Sequence, residues 1–372
     1  MSIETTMTRA WQRQAAWLWL LLPVSWLYGF ITMVRRQAYK IGLFSSYRAP
    51  IPLMVIGNIT VGGSGKTPLI IALVTHLQKQ GIKVGVISRG YGGDSNQMPA
   101  LVHADSLPSI VGDEPCLIVN MTGAAMAVCP NRKQAITTLL NAHPDLQLII
   151  ADDGLQHYAL QRDIEWIVVD ASRGFGNQQL LPTGFLREPM SRLQGANVVY
   201  HEKAEMIATN NKQAQSTRLT MHLQADKLQP LWSSAVEIDG LSVAAKTPMP
   251  PIPNGRVHAV SGIGYPQRFF DTLMALGFDV IGHAYPDHYD FSLTELLQYS
   301  ELPIIVTSKD AVKIRALLIN MSSRQPLNDE YQELVHRLWV LPVTAVLSDG
   351  CYVSLQQQLK ALNINLSKST KA

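Results

Sequence analysis

Residues 60–67 read Thr-Val-Gly-Gly-Ser-Gly-Lys-Thr. The apolar run LMVIGN (53–58) precedes them and reads as a buried strand. A helical pattern over Thr67–Gln80 follows, with Thr67 as its expected cap, Pro68 at its first position and Gly81 as its stop. Strand, glycine-rich loop and helix in that order make a P-loop. The glycines let backbone N–H groups turn inward, and the helix N-terminus adds the positive end of a dipole. Thr60, Val61, Gly62, Gly63, Ser64, Gly65, Lys66 and Thr67 thereby form a cradle for nucleotide phosphates. Lys66 is placed to reach the transferred phosphate and Thr67 to hold Mg²⁺. Thr60 stands where the general pattern begins with glycine.

The rest of the chain agrees with an α/β fold built on a mostly parallel sheet. KVGVIS (83–88), AAMAVC (124–129), LQLIIAD (146–152), IEWIVVD (164–170) and ANVVYHE (196–202) read as strands, and Asn131 opens a helix to Ala142. This alternation is the signature of βαβ units. LQLIIAD ends in Asp152, followed by Asp153, an acidic pair at a strand end that supplies the second half of a nucleotide site by binding Mg²⁺ directly or through water. After ANVVYHE the pattern changes. Arg218–Gln224 and Ser234–Asp239 read as isolated strands, and Pro248, Pro250, Pro251, Pro253 and Gly255 make a linker. VHAVSG (257–262), a helix from Pro266 to near Gly277, DVIGHAY (279–285), PIIVTS (303–308) and LWVLPV (338–343) form a second α/β pattern. The expected organisation is an N-terminal membrane-associating helix over 1–45, a P-loop core over 46–217, hinge strands and linker over 218–255, and a smaller α/β domain over 256–372.

Composition removes several classes. Of 372 residues, 47% are apolar and 16% charged, too apolar for a disordered chain. Net charge is +3, weak for a dedicated nucleic-acid binder. Three cysteines without a CxxC pair exclude a disulfide scaffold and a cysteine-rich zinc site, and suit a reducing compartment. Thr307-Ser-Lys-Asp310 is a poor match to a guanine-recognition element, because Lys309 falls one place late; it reads as the start of a helix. His283, Asp287 and His288 are a weak metal pattern.

The apolar excess is concentrated at the start. Ala15–Val34 carries no charge, and Trp11, Trp17, Trp19 and Trp26 lie in or beside it. Arg9 and Arg13 precede the run; Arg35, Arg36 and Lys40 follow it. It is too long for a signal peptide and lacks a cleavage site. By length it can span a bilayer, a reading that Pro23, Ser25, Gly29, Thr32 and the basic residues on both flanks weaken; a helix lying at or dipping into an anionic membrane face, or one packed on the body of the protein, is the alternative, and the tryptophans point to the membrane.

GNITVGGSGKTP (57–68), SRGYGG (88–93), VGDEP (111–115), DDGLQH (152–157), LPTGFLREP (181–189) and the PDH of PDHYDF (286–291) together resemble the tetraacyldisaccharide 4′-kinase family, the lipid A 4′-kinases. The motifs run in order over nearly the whole chain, and Thr60 in place of glycine is typical of that family. Tyr289 stands where the family commonly has histidine. The resemblance implies ATP- and Mg²⁺-dependent phosphorylation of the 4′-hydroxyl of a tetraacylated glucosamine disaccharide 1-phosphate. It further implies an inner-membrane location with the catalytic domains on the cytoplasmic side and a hinge between two α/β domains. No nucleic acid and no obligate protein partner are expected.

The residue roles follow from the same resemblance. Asp113 is the base that takes the sugar hydroxyl proton, with His288 as its acid/base partner; from sequence alone Asp113 and Glu114 read as an acidic helix cap. Lys66, Asp153 and Arg187 complete the catalytic set, with Arg187 stabilising phosphate charge. Arg89 and Tyr91 follow a strand end and are placed on the substrate, as are Gln156, His157 and Glu188; Thr67 and Asp152 are placed on the metal. The competing readings are a membrane-peripheral GTPase or ATPase used in protein targeting or assembly, and a nucleotide-binding scaffold without turnover.

Overall fold

The computed structural model describes residues 3–203, 218–232, 249–299, 301–323 and 328–364. Its strands are β1 (Leu53–Gly57), β2 (Val84–Ser88), β3 (Ala100–Val102), β4 (Ala125–Val128), β5 (Leu148–Asp152), β6 (Ile164–Asp170), β7 (Asn197–His201), β8 (Thr220–Ala225), β9 (Gln229–Pro230), β10 (Arg256–Ser261), β11 (Asp279–Ala284), β12 (Ile304–Thr307), β13 (Leu338–Leu341) and β14 (Val343–Leu347). They form two sheets, ordered β14-β8-β7-β6-β1-β5-β2-β4-β3 and β11-β10-β12-β13-β9. In the larger sheet every pair from β8 to β4 is parallel, and only the two edges, β14 and β3, pair antiparallel.

β1 lies between β5 and β6 and is buried along its whole length. Its unbroken apolar run is what a central parallel strand requires, since both faces are covered. Register sets Ile56 beside Asp152. The loop that leaves β1 and the acidic pair that ends β5 therefore emerge side by side. The helix Lys66–Lys79 then packs Leu69, Ile70, Leu73, Val74 and Leu77 onto the sheet. Each such side chain contributes about 1.5–3 kcal/mol.

The helix start differs from the expected one. Gly65, not Thr67, is the cap, in the left-handed region at φ 93°, and Thr67 and Pro68 lie inside the first turn. A β-carbon at Gly65 would stand 2.7 Å from His201 Nδ1. The backbone can make this turn only without a side chain.

The division of the chain also differs. The segment read as an isolated strand at 218–224 is β8, an integral member of the larger sheet between β7 and β14. LWVLPV, read as one strand, is two: β13 belongs to the second sheet and β14 to the first. Pro342 separates them, because it has no N–H to continue a ladder. The helix Asp349–Ala361 follows β14 back to the first core, where Trp166 Nε1 donates to Gln358 Oε1 (2.9 Å). The second lobe is therefore an insertion between β8 and β14, and the expected domain over 256–372 ends at Pro342. Ser234–Asp239 lies outside the described residues.

At the start of the chain, the single apolar helix expected over 15–34 is a 3₁₀ turn, Ala16–Leu21, followed by the helix Leu22–Lys40, with Pro23 in its first turn, where a missing N–H costs nothing. One side is tied down by polar contacts. Ser25 Oγ donates to Thr183 Oγ1 (2.8 Å), Tyr28 OH to the Arg187 carbonyl (3.0 Å), and Trp11 Nε1 to the Pro182 carbonyl (2.9 Å). The other side leaves Trp17, Trp19, Trp26, Leu27, Phe30 and Ile31 exposed, Trp26 by 66%.

Candidate active site

The phosphate loop is braced from beneath by Asn58, which is fully buried. Its Nδ2 donates to the Thr60 carbonyl (2.8 Å) and the Gly62 carbonyl (3.3 Å), and its Oδ1 accepts from Lys66 Nζ (3.1 Å). Lys66 Nζ also pairs with Asp153 Oδ1 (3.3 Å), and Arg187 Nη1 with Asp153 Oδ2 (3.1 Å). Burial alone raises the Asp153 carboxyl, but the two cations outweigh it and bring it down to about 2. Asp153 sits at φ 47°, a costly conformation for a residue with a side chain, and of the kind that collects at functional sites.

Asp152 has the opposite environment. It is 1% exposed, and its Oδ2 accepts from Ser88 Oγ (3.3 Å), while Oδ1 has no hydrogen-bond partner. Burial pushes it up to about 7; Glu114 and Asp153 add to the rise, and Lys66 and Arg132 oppose it. Arg132 gives that oxygen charge but no hydrogen bond, because its guanidinium donates to the Cys129 and Asp152 carbonyls. A buried carboxylate oxygen with no donor, beside a phosphate loop, is a fit for a divalent cation. Ser64 Oγ, buried and also without a partner, lies in the same loop. Thr67, in the first turn of the helix, completes the hard-oxygen set expected there.

The two lobes meet over this loop. His288, at φ 58° in the loop after β11, places Nδ1 3.0 and 3.1 Å from the Asp113 carboxylate oxygens. Asp113 is the first residue of the helix Asp113–Thr122, whose cap, Gly112, has φ 96°. A β-carbon on Gly112 would meet the Tyr91 carbonyl at 2.6 Å. That packing holds the Tyr91 loop against the start of this helix, and the Tyr91 ring lies tilted beside that of His288, centres 4.7 Å apart. Burial raises the Asp113 carboxyl, but the His288 hydrogen bond and the Lys309 and Lys313 charges outweigh it, and the net direction is down. Lys309 Nζ contacts Glu114 Oε1 (3.1 Å), Asp287 Oδ1 (3.2 Å) and His288 Nε2 (3.3 Å). Nearby, a β-carbon on Gly264 would stand 3.3 Å from Gly63 N, so the second lobe lies directly on the phosphate loop.

A second bridge between the lobes runs through Arg268, on the helix Pro266–Ala275. Its Nη2 reaches Asp170 Oδ2 (2.7 Å) and Ser172 Oγ (2.9 Å) at the end of β6. Its Nη1 lies 3.1 Å from His201 Nδ1, which is also 3.1 Å from the Ser64 carbonyl of the phosphate loop. Burial and the Arg268 charge push His201 down to about 4, so it stays neutral.

The remaining sequence-predicted residues fall in different places. Arg89 is exposed just after β2. Gln156 Nε2 donates to the Asn58 carbonyl (3.0 Å) and to Glu188 Oε1 (2.9 Å), and Glu188 is 2% exposed, with Arg192 Nε 3.2 Å from its second oxygen. This pair braces the wall of the site and faces away from solvent. Burial and neighbouring Arg132, Arg162 and Arg35 push His157 down to about 4. His283 pairs with His258 (3.0 Å), and among the described residues it does not join Asp287 and His288 in a metal-holding group. Sequence reasoning missed Asn58, Lys309, Lys313 and Arg268. Thr307-Ser-Lys-Asp310 carried the signal for Lys309: it does start a helix, Ser308–Ser322, and that helix turns its first residues toward Asp113.

The chain is similar to known proteins over nearly its whole length. The Tetraacyldisaccharide-1-P 4'-kinase family matches residues 17–360. Proteins named tetraacyldisaccharide 4'-kinase from Psychrobacter arcticus and Tolumonas auensis are 74% and 41% identical, over 99% and 94% of this chain and 98% and 96% of theirs. The crystal structure of LpxK from Aquifex aeolicus in complex with ATP is 23% identical and shares the fold, with a TM-score of 0.66 over 93% of this chain and 99% of that one. A P-loop, an acidic pair beside it and a carboxylate–imidazole contact from a second lobe thus occur in a chain that belongs to the tetraacyldisaccharide-1-P 4'-kinase family.

Proposed function

We propose that the protein transfers the γ-phosphoryl group of ATP to the 4′-hydroxyl of a tetraacylated glucosamine disaccharide 1-phosphate, giving lipid IVA on the route to lipopolysaccharide. The observation that carries this reading is the Asp113–His288 contact, made by opposite lobes beside a phosphate loop. Hydrolysis needs only a small water to be held at the phosphoryl group, which one lobe can do alone. A kinase must take a proton from an alcohol as the phosphoryl group arrives. The sugar oxygen forms the new O–P bond, the bond to ADP breaks with its electron pair leaving on ADP, and the proton passes to Asp113. Lys66 and Arg187 stabilise the charge on the phosphates, and His288 orients the base. Thr67 and Asp152 hold Mg²⁺, which when bound neutralises phosphate charge. Arg89 and Tyr91, at the mouth, contact the sugar or lipid. Incubation with labelled ATP and purified lipid A disaccharide precursor tests the assignment: label moves to lipid. Lipid-independent release of phosphate with no labelled lipid would establish the targeting or assembly NTPase instead.

The exposed tryptophans and Phe30, with Arg9, Arg13, Arg35, Arg36 and Lys40 near them, support seating this helix in the cytoplasmic face of the inner membrane, where the substrate lipid resides. Apolar burial dominates, while each basic residue adds about 1 kcal/mol near anionic lipid. Deleting residues 1–40 is expected to move the protein out of the membrane fraction, and to impair use of lipid more than binding of ATP. High salt alone is expected to leave the intact protein membrane-bound. Fractionation in both conditions decides this, and full release by salt rejects an apolar anchor.

A further inference from the structure

His288 touches the other lobe through one ring nitrogen, and its second nitrogen is engaged too. Nδ1 faces the Asp113 carboxylate at 3.0 and 3.1 Å; Nε2 lies 3.3 Å from Lys309 Nζ. Donor and acceptor accounting fixes the proton. An ammonium has three donors and no acceptor, so the nitrogen facing it must offer a lone pair. An ionised carboxylate only accepts, so the nitrogen facing it must carry the hydrogen. Both constraints select one state of the ring. We infer that Lys309 is a positioning residue for phosphoryl transfer: by donating to Nε2 it holds His288 as the neutral tautomer whose Nδ1–H points at Asp113, leaving the carboxylate free to accept the sugar proton.

The surroundings bear this out group by group. His288 is faced by Asp113 from the helix Asp113–Thr122, by the Tyr91 ring, by Asp287 on its own loop, and by Lys309 from the helix Ser308–Ser322, with Glu114 paired to Lys309 behind it. Lys313, one turn on, lies 3.9 Å from Asp113 Oδ2 and donates to the Tyr289 carbonyl (2.7 Å). Burial disfavours the imidazolium, Asp113 favours it more strongly, and Lys309 is the cation opposing that rise. Without Lys309 the ring takes a second proton more readily. Asp113 then exchanges the Lys309 charge at 3.9 Å for an imidazolium at 3.0 Å, and the nearer cation lowers its basicity. Lys309 is itself secured, 14% exposed and held by Glu114 and Asp287.

The inference rests on the reading of Asp113 as base, and its test separates the two. Long-range proton–nitrogen NMR of the full-length, ¹⁵N-histidine-labelled protein reads the His288 tautomer without turnover; His288→Gln identifies the signal. The expected result is a protonated Nδ1 and a bare Nε2 in the wild type. A wild-type ring protonated on Nε2 overturns the inference with no Lys309 variant needed. In Lys309→Met, checked for ATP binding, the ring is expected to charge at a higher pH, and the acidic limb of the kcat/KM profile to move up by about one unit. Lys309→Arg, again donor-only, is expected to bring the limb back. An unmoved limb in Lys309→Met, or an equal shift in Glu114→Gln, would show only a pin between the lobes. Asp113→Asn kinetics tests the base itself, whatever the spectrum shows.

Discussion

Lys66→Ala is expected to lose at least two orders of magnitude in turnover, about 3 kcal/mol or more of transition-state stabilisation. The ammonium stands on the helix that the phosphate loop opens, held between Asn58 Oδ1 and Asp153 Oδ1. From there it can follow charge moving onto the γ-phosphoryl oxygens without reorganising. The nearest substitute, Arg187, lies against the opposite oxygen of Asp153. The variant should still fold. Asp153 keeps Arg187, and Asn58 keeps its bonds to the loop carbonyls. Single-turnover transfer of label to lipid, with circular dichroism as the folding control, measures the loss. A rate near wild type would remove the nucleotide assignment.

The second large effect concerns the contact between lobes. Asp113→Ala and His288→Ala are each expected to lower kcat by about 10²–10⁴, with ATP affinity nearly intact, because neither side chain belongs to the phosphate cradle. The double variant is expected to be little worse than the more damaged single one, since groups acting as a unit are not additive. The cations around Asp113 do not become orphans when it is removed: Lys309 keeps Glu114 and Asp287, and Lys313 keeps the Tyr289 carbonyl. The loss therefore reads chemistry more than unfolding. Fully multiplicative losses, or a His288 variant that changes only KM for lipid, would make His288 a substrate contact.

Legibility in the sequence tracked locality. The phosphate loop is eight consecutive residues with one backbone task, and the acidic pair ends an apolar run, so both were readable. The central strands were readable because parallel burial leaves an unbroken apolar run. β8 was misread because TMHLQA alternates polar and apolar residues like a lone edge, and its partner β14 lies more than a hundred residues on. Thr67 was misread as a cap because threonine usually serves there; here glycine's left-handed turn overrides the preference. Asp113 and His288 came from family resemblance, for in the chain itself Asp113 is indistinguishable from a helix cap. Thr307-Ser-Lys-Asp310 showed where the helix of Lys309 starts but not its role, and Arg268 left no signal, because the meaning of both lies in the opposite lobe.

The return of β14 to the first sheet bears on how the protein is made. The helix behind the phosphate loop packs against β14, and the His76 ring on that helix lies tilted against Tyr352, ring centres 4.6 Å apart. A ribosome delivers residues 53–225 first, and with them the nucleotide loop and its central strands. The outer flank of that half-built sheet stays uncovered while the whole second lobe is synthesised. β8 waits as an open edge, able to pair with any strand that arrives. The polar alternation of TMHLQA makes that wait safer than an apolar strand would. The helix that carries Lys66 thus gains its last packing partners, β14 and Tyr352, only after the second lobe has been translated.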